Sequence, residues 1–301
     1  MQASAQDKAI AAVMKWAQRE EWRGRLGTVI ADHLGPACEA FDLDPAELPD
    51  LLGPAAYAQL IGCAFEDFLT SDFEPDDHNI VDDYLKRRGW KEPVPGRRYL
   101  DALRRSVMSL YDVVDTTPGR HFMARDLIRG GDPVQVRDKL ASQSLARWDR
   151  LAARMLPIGT EVHMAAGVLP LSFEESGALL DEFAEVRKSF TRSVKRQAKR
   201  AGVPIGDLDQ YPMEAAILGE MAPLFTQAWL ATTLPGLQGV RRPGSRIVRG
   251  REAEPCSVAR HATRALPKPA KSQRCAMGAT DLIGCLGRID LIGHGSNGKV
   301  A

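Results

Sequence analysis

At 301 residues, 44% of them hydrophobic, the chain has ample apolar material for one large core or two smaller ones, so size sets no limit on folding. Apolar runs such as residues 54–64 are broken by polar side chains and fall short of the roughly 18–20 residues that span a bilayer. The start also lacks a basic segment followed by an apolar one. Neither a membrane span nor a signal peptide is expected, and the chain reads as cytoplasmic with no membrane partner. Its net charge of +1 hides a segregation: residues 26–85 hold fourteen carboxylates and no Lys or Arg, whereas residues 237–301 hold twelve cations against four acids. Five widely spaced cysteines (Cys38, Cys63, Cys256, Cys275, Cys285) form no disulfide framework or metal knuckle and read as free thiols.

In chain order, Ile10, Val13, Met14 and Ala17 predict an amphipathic helix over 6–21. A second is predicted over Leu26, Val29, Ile30 and Leu34, ended by Gly35-Pro36. Asp44-Pro45-Ala46-Glu47 marks a third start, with Asp as N-cap, Pro at the first helical position and Glu at the third. Pro54 begins a longer helix through Phe65 and Leu69. The segment at 71–90 joins an acidic loop to a helix whose last turn (Lys86, Arg87, Arg88) suits the helix dipole and stops at Gly89. Another helix is predicted over 97–108.

At Ser109 the period changes towards two. Short runs rich in Val, Ile, Phe and Leu, punctuated by Pro118-Gly119 and by Gly130-Gly131-Asp132-Pro133, predict a meander, and a hairpin is predicted about Gly159. Five strands with turns every ten or so residues suit a small antiparallel barrel over 109–171. Ser172 and Glu175 form a capping box opening a helix to Ala201, closed by Gly202 and Pro204, and a last helix runs from about Pro212 to Leu234 with a kink expected at Pro223. The fold class is therefore α+β: a helical region (1–108), the β unit (109–171), two helices packing back on it (172–235), and a tail (236–301) whose composition predicts disorder. The abrupt loss of pattern near Gly236 is also what a shifted reading frame produces.

The chemistry-bearing motifs are weak. The sequence GHGSNGK near Gly293 lacks the spacing of a phosphate loop. Asp76, Asp77, His78, Asp82 and Asp83 match no calcium loop and read as solvated polarity at a helix start. His121 and His163 have no ligand partner at motif spacing. Asp112, Asp115 and Asp126 lie within the barrel and form a candidate acidic cluster, the basis of a carboxylate hydrolase or metal-enzyme alternative; the other reading is turn polarity or ion pairing with Arg120, Arg125 and Arg129. Arg187, Lys188, Arg192, Lys195, Arg196, Lys199 and Arg200 make a candidate polyanion surface, and hence a nucleic-acid alternative. The competing expectation pairs these cations with the acidic N-terminal arm. No catalytic, cofactor-binding or metal-binding residue is assigned.

FEDFLTSDF, NIVDDYLKRRGW, SVMSLYDVVDTTPG, ARDLIRGGDPVQVRDK, SQSLARWDRLAARMLPIG and AAGVLPLS are similar, in order and spacing, to a family of uncharacterised bacterial proteins, some of which carry an appended SEC-C zinc-binding motif. The resemblance covers about residues 60–235 and implies no activity. The zinc motif, a CxC followed by a His-Cys pair, has no counterpart here, so neither zinc nor another cofactor is implied. The leading expectation is a non-enzymatic adaptor that binds a protein partner; the sequence sets no oligomeric state.

Overall fold

The computed structural model describes residues 4–75, 77–201 and 213–238, with the backbone alone at 197–201, 213 and 235–238. Five helices come first: α1 (Ala5–Ala17), α2 (Glu20–Ala40), α3 (Leu48–Thr70), α4 (Ile80–Arg88) and α5 (Val94–Arg104). Six strands follow: β1 (Met108–Thr117), β2 (His121–Asp126), β3 (Val134–Val136), β4 (Arg150–Ile158), β5 (Glu161–Met164) and β6 (Leu169–Leu171). The short α6 (Ala141–Ser144) lies between β3 and β4, and α7 (Phe173–Ala201) and α8 (Met213–Gln238) complete the described chain. The α+β class expected from the sequence is the one observed. No helix among the described residues is long and apolar enough to cross a membrane.

The strands run β1-β2-β3-β5-β4, and β4 pairs back onto β1, which closes a five-stranded barrel. β3 and β5 are parallel and the other pairs antiparallel, so the predicted meander is in fact a Greek-key circuit. β6 adds to β4 beyond the end of β5. The turns fall where the sequence marks them: Gly119 and Gly159 adopt φ of 75° and 65°, a region that costs glycine nothing.

Alternation along the strands divides the side chains between two packed regions. Tyr111, Val113, Phe122, Ala124, Val136, Leu151 and Ala153 fill the barrel, with Ala141 and Leu145 packed against them. Met108, Leu110, Ala152, Leu156, Leu169 and Leu171 point outwards and join Trp22, Leu60, Phe68 and Phe225 in one continuous helical core. The wall formed by β1, β4 and β6 is thus roofed by helices. His121, Met123, Arg125, Gln135, Glu161 and His163 mark the uncovered wall of β2, β3 and β5.

Several predicted boundaries shift for identifiable reasons. Residues 6–21 are not one helix: α1 stops at Ala17, and the turn lets Trp16 and Trp22 both donate their indole N–H groups to Asp83 Oδ2, at 2.9 and 3.3 Å. Gly35-Pro36 does not end α2, which runs on to Ala40. Proline lacks the N–H that the Asp32 carbonyl four residues earlier would accept, and that carbonyl instead accepts from Gln227 Nε2 of α8 at 3.0 Å. The kink comes later, at Gly53 (φ 75°), where Pro54 restarts α3. The last predicted helix of the first region is offset: α5 begins at Val94, and Met108 already belongs to β1. α8 passes through Pro223 and reaches Gln238, over the first residues of the expected tail. The remainder of that tail, the Gly293 segment, Cys256, Cys275 and Cys285, Gly202 and Pro204, and Asp76 lie outside the described residues. Cys38 and Cys63 are free and buried, and burial pushes the Cys38 thiol up to about 11.

Candidate functional site

Helix α7 opens on the expected capping box, Ser172 Oγ accepting the Glu175 N–H at 3.2 Å while the Glu175 carboxylate accepts the Ser172 N–H. Its apolar stripe is buried at Leu179 and Phe183 and packs partly through Leu180, Val186 and Phe190. Beside that stripe lies the turn that follows β2, fixed by Asp126. Asp126 Oδ1 accepts from Ser109 Oγ and from the N–H groups of Ile128 and Arg129 at 2.7–2.9 Å, and Oδ2 accepts from Arg129 Nε at 2.7 Å. Arg129 also donates to the Tyr111 hydroxyl at 2.7 Å. The turn so held presents Leu127 and Ile128 towards α7 and leaves a cleft of about 540 Å³. Leu127, Ile128, Leu180 and Phe183 give it an apolar lining, and Arg187, Lys188 and Arg192 bring three cations to the same depression.

These are three of the seven sequence candidates on α7. Arg187 pairs with Glu214 of α8 at 3.3 Å and Lys188 with Glu185 of its own helix at 2.6 Å. Arg192, Lys195 and Arg196 are exposed and make no ion pair among the described residues. The side chains of Lys199 and Arg200 lie outside the description. Among the described residues the ion pairs formed by α7 therefore go to α7 and α8. The acidic arm finds its cations elsewhere: Asp72 and Asp82 bind Arg104 at 2.5 and 3.1 Å, Asp83 binds Arg87 at 2.7 Å, and Asp67 binds Arg154 at 2.8 Å.

The three barrel carboxylates do not converge. Tyr111 registers with Asp126 and Asp112 with Arg125, so Asp126 shares the inner side of the wall with Tyr111 while Asp112 lies on the outer side. Asp112 is buried, its Oδ1 without a hydrogen bond, between the register partners Arg125 and Arg150. Asp115, past a bulge in β1, is exposed and accepts its neighbour's N–H from Thr116. None of the three lines the α7 cleft. His121 sits near Thr117 and His163 near Glu161, with β3 between their strands. Among the described residues no group of three or more His, Cys, Asp or Glu is placed to hold a metal ion.

A buried polar chain, unrecognised in the sequence, ties the helices to the barrel. Arg154 of β4 donates to Asp67 Oδ1 and to the Ser106 carbonyl, both at 2.8 Å. Asp67 Oδ2 lies 3.2 Å from His33 Nε2, and His33 Nδ1 lies 2.9 Å from the Thr226 hydroxyl. Hydroxyl, imidazole and carboxylate stand in the order of a nucleophilic triad. Thr226 and His33, however, expose no surface, so no substrate reaches them and the chain serves packing. His33 had a legible signal, since it continues the stripe Leu26, Val29, Ile30, and so did Arg154, a charge set between apolar residues in the interior of β4.

Glu66, beside this chain, accepts the Gly167 N–H at 2.8 Å and leaves Oε2 unpartnered. Burial pushes its carboxyl up to about 7, against the lowering effect of the Gly167 N–H and Arg154. The raised value means that stability is fully present below the unfolded value near 4.5 and is lost as pH rises through 7, where the folded state must bury the charge. Glu66→Gln is therefore expected to gain on the parent between those pH values, by up to about 3 kcal/mol. Urea unfolding at pH 4.5 and 8 checks this; a pH-independent difference would refute it.

Residues 63–201 match a family of unknown function (DUF7986). The matched span takes in the end of α3, the whole barrel and α7, and so contains the cleft, Glu66, Asp67 and Arg154, but neither His33 nor Thr226. It is narrower than the resemblance at 60–235 drawn from the sequence. No curated protein and no solved structure matches the chain.

Proposed function

We propose that this protein is a non-enzymatic binding module that takes an acidic, partly apolar segment of a protein partner into the cleft between α7 and the turn after β2. The observation that carries this reading is the lining itself: five apolar side chains, Leu127, Ile128, Leu180, Phe183 and Ala184, next to three cations, one of which, Arg192, makes no ion pair among the described residues. An amphipathic acidic segment satisfies both parts, burying its apolar positions and placing carboxylates against the guanidinium groups. Closed five-stranded Greek-key barrels also bind oligonucleotides. Against that use here, the uncovered wall offers Met123, Arg125 and Gln135 with the small imidazoles of His121 and His163, and no Phe, Tyr or Trp ring for base stacking.

The test is site-directed photocrosslinking from position 180 in the native host. The expected product is a protein whose crosslinked peptide is acidic, and its yield is expected to fall about tenfold in an Arg192→Glu variant with an unchanged thermal midpoint. A yield insensitive to that reversal would reject the cleft. Nucleic acid remains the second reading because Arg192, Lys195 and Arg196 are exposed at i, i+3 and i+4 and make no ion pair among the described residues. Retardation of an oligonucleotide at low salt, lost on Lys195→Ala, Arg196→Ala, would favour it.

A further inference from the structure

The corner between α4 and α5 carries a surface of a different character. Residues 86–98 read KRRGWKEPVPGRR, six cations against one acid. All six cations are exposed, and the acid, Glu92, accepts the hydroxyl of Tyr84. Arg87 is bound to Asp83 and Arg88 lies over the ring of Trp16, whereas Lys86, Arg97 and Arg98 have no ion pair among the described residues. At the apex Trp90 is 75% exposed and Val94 48%, with Pro93 and Pro95 also exposed. The corner is braced from behind, since Gly96 packs so closely on α1 that a Cβ there would lie 3.2 Å from Ala9 Cβ and 3.3 Å from the Ala5 carbonyl. An indole held out in water on a braced support, ringed by positive charge, is an interaction surface rather than unfinished packing.

We propose that this corner docks on an anionic lipid surface, with Trp90 and Val94 entering the headgroup layer while Lys86, Lys91, Arg97 and Arg98 meet lipid phosphates. Tryptophan favours the membrane–water interface, and clustered Lys and Arg favour acidic headgroups. Nucleic acid fits less well. Lys91 Nζ sits 4.9 Å from the Trp90 ring centroid, on one of the faces a base would need, and the remaining apex residues are aliphatic and cannot stack. An acidic protein segment fits less well too, because Trp90 and Val94 stand out at 75% and 48% exposure instead of being enclosed in a groove that would grip a peptide. A fluid surface accepts a protruding apolar tip without a matching groove. The contact is peripheral and needs no membrane span. It departs from the absence of a membrane partner expected from the sequence, and it uses none of the residues that line the α7 cleft.

The experiment is cosedimentation of the full chain with vesicles of phosphatidylcholine alone or with about a third phosphatidylserine, at low and high salt. Binding to the anionic vesicles only, weakened by salt, is expected, with a blue shift of tryptophan emission that is absent in Trp90→Phe. Arg97→Ala, Arg98→Ala is expected to lower partitioning about 25-fold, at about fivefold per cation, and the double Lys replacement to retain it. All these positions are exposed, so the thermal midpoint is expected to hold. Equal binding to both vesicle types, or variants that bind like the parent, would overturn the proposal. It would equally be overturned if a single-stranded oligonucleotide displaced the protein from vesicles and was itself bound through Trp90 and Arg97.

Discussion

Replacing Arg154 by methionine is expected to cost about 3–5 kcal/mol of folding stability, the range for removing one partner of a buried ion pair. Arg154 is 1% exposed, and its loss would strip Asp67 of its guanidinium partner and leave the Ser106 carbonyl without that donor. The cost lies less in the lost attraction than in the carboxylate left behind. Arg154→Met combined with Asp67→Asn should therefore recover at least half of it, because the new side-chain amide would keep an acceptor for His33 while removing the charge. Urea denaturation of both variants decides the matter; a single-variant cost under about 1 kcal/mol would mean that the pair behaves as though it were solvated.

Gly167→Ala is the second large effect. A Cβ at Gly167 would stand 2.8 Å from Glu66 Oε2 and 2.9 Å from the Cα and N of Cys63, and the latter are helix backbone that cannot swing aside. A loss of about 3 kcal/mol, the upper end for overpacking, is expected. Gly62, across the same contact, supplies the control. Its Cβ would meet nothing nearer than 3.7 Å, so Gly62→Ala should stabilise by up to about 1 kcal/mol through helix propensity alone. Thermal melts of the two variants should move in opposite directions. A common sign would show that α3 does not approach the barrel as closely as the structure has it.

These two positions show what the sequence reveals and what it hides. The strands were legible because alternation and turn glycines are local: Gly119 and Gly159 mark their own hairpins, and the change of period at Ser109 lies one residue from the start of β1. The continuation of α2 through Pro36 was not legible, because the donor that replaces the missing N–H is Gln227, far along the chain. A barrel was expected, but that β4 on β1 is the pair that closes it was hidden in the same way, since no local pattern encodes which edges meet. For the site, the cations of α7 could be read off the sequence. Their lining partners Leu127 and Ile128 could not, because only the Asp126-bound turn sets them facing the helix.

The span of the buried polar chain bears on the order in which the protein can be made. Asp67 leaves the ribosome 87 residues before Arg154, and His33 emerges 193 residues before Thr226. Until then the nascent helices α2 and α3 carry an uncompensated carboxylate and an imidazole on faces that will later be dry, with their apolar neighbours equally uncovered. These helices cannot reach their final packing before β4 and α8 have been made, and α8, the last of the described helices, is the one that completes their seal. A polypeptide released before α8 would thus lose more than that helix: its earliest-made segments would remain unfinished.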